Sequence, residues 1–429
     1  MIFSLIMIVL VGAVAYFHYV QGVFSAFLSA VFAAIAAVLA VGFYEQVLLS
    51  YAGGTRADYL AAGLIVIIFA ASYTLLRLLF DGFVPGNIRV PVLLDKIGAG
   101  VFGVVAAVFA TGTIAVAAQT LPLGPSIIDY SRMELRAVEK RVMMRRQMSG
   151  PLQSWELDDD TIGGQTQSML LPVDEWLIDF VTFQSGTGAL AGSQSFTDRH
   201  PDLLTQLFAQ RLGTQPGVMR SAVNVGGEPE VEVSDAFLLT TFKQVEGESP
   251  EIRKADERDW ANATIDGQPI VLRVKVSGNA TGTEEQFVRF GTGSARLVVG
   301  EPGERQNIFP FGTLGSPDAP NVVARQKPTD YLLLPSNDGT PAVDLVFAVP
   351  QSAIVERSDD SGTSLRLAEG TFFEFKRYGA VDLSNLQITS YRSDSDLMLV
   401  RKPKLRQVLE AVQGGQSYEE AAQAAIGRR

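Results

Sequence analysis

Cysteine is absent from the 429 residues, and histidine occurs only as His18 and His200. A disulfide framework, a catalytic thiol and thiolate-held zinc or iron–sulfur centres are thereby excluded. Two histidines leave little for a His-rich metal site or a proton relay, so no cofactor and no metal are expected. Charge is also scarce in the first 120 residues, which hold eight ionised side chains: Glu45, Arg56, Asp58, Arg77, Asp81, Arg89, Asp95 and Lys96. Four are basic and four acidic, so the whole net charge of −11 belongs to residues 121–429. An acidic remainder lacks the clustered Lys and Arg that release counterions from phosphates, which argues against a nucleic-acid partner.

What the N-terminal part does contain is apolar sequence. Met1 to Phe43 is uncharged, and as one helix it would be about 65 Å long, roughly twice the hydrocarbon thickness. The semi-polar break His18-Tyr19-Val20-Gln21-Gly22 therefore marks a helical hairpin, with spans near 2–18 and 22–43. Tyr59 to Leu79 and Ile97 to Ala118 supply two more stretches of about the ~20 residues a span needs. A cleaved leader is the competing reading of the first stretch, but the basic segment that opens such leaders is missing. Four spans put both chain ends on one side of the lipid bilayer. Arg77, Arg89 and Lys96 flank the loop before the fourth span, while Arg56 stands alone in the preceding loop, and this bias places the former loop in the cytoplasm. Arg132 and Arg136, just beyond the fourth span, pull the other way.

Ala99, Gly103, Ala107, Thr111 and Ala115 recur at four-residue steps in the fourth span, and Gly22, Ala26, Ala30 and Ala34 do so in the second. Such rows let helix backbones approach closely where lipid removes any hydrophobic gain from association. They are candidate packing faces, within the monomer or in a homo-oligomer. Phe102, about 100° around the helix from Gly103, is expected to face lipid. Asp95 is expected to pair with Arg77 across the ends of spans three and four.

The stretch Leu94-Asp95-Lys96-Ile97 through Phe102-Gly103 resembles the fourth-span signature of the colicin V production protein family (CvpA). Its elements are an Asp and a basic residue at the membrane entrance, then small residues at four-residue steps, here Ala99, Gly103 and Ala107. Gly22 at the start of span two also matches, whereas Gln21, Ala106 and Ser4 stand where the family pattern has charged residues. The resemblance covers residues 1 to about 120. It implies a four-span module of the bacterial inner membrane linked to colicin V (toxin) production and cell-envelope functions, without established chemistry. It also implies that an extracytoplasmic C-terminal domain can follow, which in some members is a serine protease.

The residues of the tail argue against that activity. A serine protease needs a His to take the nucleophile's proton and an Asp to orient it, and the one His of the tail, His200, lies in Asp198-Arg199-His200-Pro201-Asp202 as part of a helix entry. No Gly-x-Ser-x-Gly segment occurs. The acidic run Glu156 to Asp160 lacks the alternating ligands of a calcium loop and reads as solvated linker. Gly291-Thr292-Gly293-Ser294 lacks a following Lys-Ser/Thr and reads as a turn.

The spacing predicts a capped helix from Ser131 to about Met148, a polar linker, and helices near 173–184 and 201–212. About seven β-rich segments follow: 231–245, 270–276, 287–299, 331–334, 343–349, 372–378 and 386–391. In Ile270 to Val276 the alternation sends Leu272, Val274 and Val276 inward and Arg273 and Lys275 to water. Short helices are expected near 402–412 and after Ser417. The expected architecture is thus an α-helical membrane protein with four transmembrane helices (1–120), a small helical linker region (121–225), an extracytoplasmic, mainly-β, immunoglobulin-like sandwich (226–395) and a helical tail (396–429). The expected function is non-enzymatic display of that sandwich to an envelope protein or wall partner. A transport or channel component built from oligomerised four-helix modules is the alternative, although Arg77, Asp95 and Lys96 gather at one interface and not at mid-membrane.

Overall fold

The structure is a computed structural model. It describes residues 2–51, 57–83, 91–124, 126–132, 167–186, 195–212, 228–239, 242–246, 261–262, 267–277, 287–314, 322–326, 331–335, 342–359 and 362–390, with a few residues between 408 and 417. The expected helix after Ser131, the acidic run 156–160 and most of the C-terminal helical tail lie outside the described residues; Val408, Ala411 and Val412 are helical.

Four helices long and apolar enough to cross a membrane form the N-terminal part: α1 (Ile2–Gln21), α2 (Val23–Tyr51), α3 (Ala57–Phe83) and α4 (Val92–Thr120). Gly22 alone separates α1 from α2. Its φ of +96° reverses the chain there, a conformation that a side chain would strain. α2 runs two turns past the expected end of its apolar stretch and so carries Glu45 inside a continuous helix.

The small-residue row of α4 is buried throughout, from Ala99 to Ala115. It meets α1: a Cβ at Gly103 would lie 2.9 Å from the Ala15 carbonyl oxygen and 3.1 Å from His18 Cβ. In α2 the buried row begins as expected at Ala26 and Ala30, then passes to Ala33 and Ala37, because a step of four drifts around a helix of 3.6 residues per turn. Phe102, expected to face lipid, is half-buried. Its ring stands 5.1 Å from that of Phe27 and packs beside Ala30, Ala33 and Ala106. α4 is central to the bundle, with α1 on one face and α2 on the next.

Beyond α4 come α5 (Val173–Gly186), the single turn α6 (Phe196–Arg199) and α7 (Leu203–Leu212). Helices α5 and α7 match the two expected in this region. Leu177 and Val181 of α5 and Leu203, Leu204 and Leu207 of α7 share one core with Val41, Tyr44 and Leu48 of α2 and Val116 of α4.

The remainder is mainly β. Each of the seven expected segments falls on strand, but sixteen strands are present among the described residues. Those missed are short, such as Gln306–Ile308, Gly312–Leu314 and Val322–Arg325, or rich in charge, such as Ile354–Asp359 at a sheet edge. Three or four residues cannot display an alternation, and an edge strand has less core to face. One mixed sheet of ten strands is built around the antiparallel set Val231–Leu238, Gln268–Val276 and Ala342–Val349, with Gln387–Ser390 joining parallel to the first. A four-stranded sheet holds Gly379–Asp382, Phe372–Phe375, Ala295–Val299 and Gln306–Ile308. The two sheets share a core: Leu272, Val274, Leu345 and Phe347 from the first meet Leu297, Phe373 and Phe375 from the second. Leu272, Val274 and Val276 are buried as expected, but the other face is not turned to water: Val271 is buried there too, and Arg273 pairs with Asp344, its cross-strand neighbour, at 2.8 Å.

The close approach at Gly103 has a measurable consequence. Gly103→Ala puts a methyl group against the Ala15 carbonyl, and overpacking of this kind costs about 1–3 kcal/mol. Gly63→Ala, with nothing within 4 Å of its added Cβ, should be neutral or slightly stabilising. Thermal aggregation in detergent should rank Gly103→Ala well below wild type and Gly63→Ala level with it; equal stability of the two variants would contradict the close packing of α1 and α4.

Candidate functional site

Two polar constellations stand at opposite ends of the apolar bundle. At one end the entrance motif of α4 meets the α1–α2 turn. Asp95 Oδ1 accepts a hydrogen bond from the Val23 backbone N–H at 2.8 Å. This occupies one of the orphan donors at the start of α2, where a negative charge also complements the helix dipole. A Cβ on Gly22 would sit 3.0 Å from the same carboxylate oxygen. Lys96 Nζ lies 3.4 Å from the Tyr19 carbonyl oxygen and 4.9 Å from the centre of the Tyr19 ring. Gly22, Asp95 and Lys96 are therefore brought together.

Asp95 does not pair with Arg77 as expected. Arg77 reaches across to α2, donating to Ser25 Oγ at 3.0 Å, and pairs with Asp81 one turn further along its own helix at 3.0 Å. The α2 amide is the nearer claim on Asp95, because the Gly22 turn aims it at that carboxylate. Ala99, Gly103 and Ala107 continue from this end as the buried face toward α1.

At the other end lies a buried charged cluster that the sequence reading did not find. Glu45 is 22 residues beyond Val23, about 33 Å along α2, and is only 4% exposed. Its Oε2 stands 2.9 Å from His200 Nε2 and 3.5 Å from Arg199, while its Oε1 accepts from the Tyr44 hydroxyl at 2.8 Å and lies 3.9 Å from Arg377. A buried carboxylate without such partners would be strongly disfavoured. The same contact raises the pKa of the Arg199 guanidinium, held by the Glu45 carboxylate.

Each partner is placed by a different element. Ser195 caps α6: its Oγ accepts from the Asp198 N–H at 3.2 Å and donates to the Asp198 carboxylate at 2.7 Å. Arg199 and His200 thus leave the helix at a fixed angle. Asp198 also accepts from the Gly303 N–H at 2.7 Å, which ties this turn to the β region. His200 Nδ1 lies 2.8 Å from Gln206 Oε1, and the Gln206 amide donates onward to Glu374 Oε1 at 2.7 Å. Glu374 faces Arg296 across an antiparallel strand pair, and the two join through bonds of 3.0 and 2.9 Å. Arg296 returns to the helical region by donating to the Arg199 carbonyl at 2.8 Å.

Arg377 arrives through strain. It and Lys376 both have positive φ, 64° and 49°, in the turn between Phe372–Phe375 and Gly379–Asp382. Glycine or asparagine is the usual occupant of such a conformation, and non-glycine residues there cost about 1–3 kcal/mol each. The turn sets the buried Arg377 guanidinium 4.6 Å from the Tyr378 ring centre and 5.7 Å from that of Tyr44. The backbones meet nearby as well: a Cβ at Gly293 would overlap the Ala209 carbonyl oxygen of α7.

The expectation that His200 serves a helix entry understates its place. It follows α6, is 1% exposed, and has one ring nitrogen against Gln206 and the other against Glu45. Enclosed in this way it is a structural link and has no open side for a substrate. No group of three or more metal-ligating side chains is present among the described residues. The cluster's one visible signal in sequence was Glu45 itself, the sole charge in the first 55 residues, since an ionisable residue in an apolar helix points to a partner. Comparison with protein-family models, with curated proteins and with solved structures finds no match to this chain.

Glu45→Gln keeps the shape of the side chain but leaves Arg199 and Arg377 without their carboxylate. Loss of one member of a buried ion pair destabilises by about 3–5 kcal/mol. Lys275→Gln, which breaks the exposed pair with Glu232, should cost about 0–1 kcal/mol. Thermal unfolding of the full chain in detergent should separate the two variants clearly, and similar midpoints would mean that the cluster is not what joins the helices to the β region.

Proposed function

We propose that the chain is a multi-pass protein of the bacterial inner membrane that holds its mainly-β region in a set orientation against the bilayer, for recognition by an envelope protein or wall partner. The observation that carries this reading is the Glu45 cluster. One carboxylate at the end of an apolar helix engages Arg199, His200 and Arg377, which arrive from two separate places in the tail, the end of α6 and the turn after Phe372–Phe375. A flexible tether would serve to keep a domain near a membrane; a buried junction of this kind serves to orient it.

Display without catalysis is supported by the enclosure of His200 between Glu45 and Gln206. Transport is the weaker reading, because alanine-lined faces pack closely in the bundle and the buried carboxylate is committed to ion pairs. The resemblance of residues 94–103 to the CvpA signature supports an envelope role linked to colicin V production. The meeting of Gly22 with Asp95 gives two of its motif residues a shared structural task. The placement of the tail outside the cytoplasm rests on the basic residues Arg77, Arg89 and Lys96 around the loop before α4.

A reporter that is active only outside the cytoplasm tests the orientation. Fused after Arg429 it should be active, and inserted between residues 84 and 90 it should be silent. The opposite pattern would turn the β region to the cytoplasm and end the proposal of a wall or envelope partner.

A further inference from the structure

Helix α5 belongs to the polar tail by sequence, yet it packs against the apolar bundle, within the last third of α4. A Cβ at Gly112 would lie 2.5 Å from the Val173 carbonyl oxygen and 3.0 Å from Leu177 Cβ, so the two helices touch backbone to backbone there. The Phe180 ring stands 5.0 Å from that of Phe109. Gly112 is seven residues before Gln119, and Phe109 ten, which places these contacts about 10 and 15 Å inside the polar end of α4. Ile178 and Val181 share their core with Ala37, Val41 and Ile65, and partly with Ile68 and Phe69, all from the apolar stretches of α2 and α3.

The opposite face of α5 is aromatic. Trp176 and Phe183 are 46% and 60% exposed at the i, i+7 spacing of one helix face, with Phe180 on its flank against Phe109. Apolar side chains are exposed on the bundle as well, among them Tyr59, Leu60 and Ile67 of α3 and Ile114 of α4. Asp179 is exposed on the same side, and its charge limits how deep the face can sit. At 14 residues, about 21 Å, α5 is too short to cross a bilayer. Tryptophan and phenylalanine at the rim of an apolar surface, beside one carboxylate, match the headgroup boundary.

We infer that α5 lies in the membrane interface as a fifth lipid-contacting helix, with Trp176 inserted among the upper acyl chains and Asp179 among the headgroups. The inference rests on the reading of α1–α4 as membrane spans and adds a lipid contact that hydropathy does not reveal. It also explains why the junction at Glu45 can be buried: α5 covers the flank of α2 and α4 on which the tail is seated.

The test uses the full chain with Trp155→Phe and Trp260→Phe, which leaves Trp176 as its only tryptophan, reconstituted into phosphatidylcholine–phosphatidylglycerol vesicles. Co-flotation with the vesicles is measured first, and failure to float would overturn the spanning reading itself. For floating protein, lipids brominated at the 6,7 positions should quench Trp176 by half or more. Lipids brominated at 11,12 should quench less, and acrylamide only weakly. Strong acrylamide quenching with no effect of bromine would overturn the inference and put the face in water. Bromine quenching that appears only on dilution of protein in lipid would also overturn it, by showing a second copy of the chain on that face. If the tryptophan variant does not fold, Trp176→Cys in the otherwise unchanged, cysteine-free chain carries a nitroxide instead. Greater collision with oxygen than with a nickel chelate is then expected, and the reverse contradicts the inference.

Discussion

A carboxylate at the end of a long apolar helix cannot be buried alone. Removing it from water without partners would cost far more than a fold of this size can supply, so cations must be brought to it. Much of the tail's organisation follows from that demand at Glu45. The Ser195 cap directs Arg199 and His200 toward it, Gln206 links His200 to the cross-strand pair Glu374–Arg296, and a strained turn delivers Arg377. The positive φ values at Lys376 and Arg377 would be hard to account for in an ordinary hairpin. They fall where the chain must place a guanidinium against a tyrosine and a carboxylate of another element.

The bundle is fastened at both ends by the same physics in different form. Asp95 engages the first free amide of α2 at one end, and Glu45 engages the tail at the other. Between them the packing is steric, with backbone approaches at Gly103 to α1 and at Gly112 to α5. α4 is the common element, presenting small residues to α1 and Gly112 to the helix that follows in the tail. This division suits an apolar surrounding, in which hydrophobic burial gives helices little reason to associate and close contact with polar links must suffice.

Much of this was legible in the sequence, and unequally. The four apolar helices, the hairpin at Gly22 and the buried row from Ala99 to Ala115 could be read because periodicity and hydropathy are properties of one segment at a time. The longer strands could be read for the same reason. Partners across the fold could not. Asp95 looked like a match for Arg77 because both are charged and near one interface, while the amide it binds carries no side-chain signal at all. Arg199, Arg296, Glu374 and Arg377 look like any solvated charges of a polar tail, and Lys376-Arg377 is not a sequence from which a left-handed turn would be inferred. The aromatic face of α5 was similarly hidden, since Trp176 and Phe183 gain meaning only once Gly112 is seen beneath the helix.

The central claim is that the buried Glu45 cluster holds the β region in one orientation relative to the apolar helices. Because the chain has no cysteine, nitroxides can be placed by Val9→Cys on the exposed side of α1 and Glu356→Cys on the exposed edge strand Ile354–Asp359. The distance between them can then be measured by double electron–electron resonance in reconstituted bilayers. A single narrow distribution is expected, which broadens or splits when Glu45→Gln is added. A broad distribution with Glu45 intact, or a narrow one that Glu45→Gln leaves unchanged, would contradict the claim.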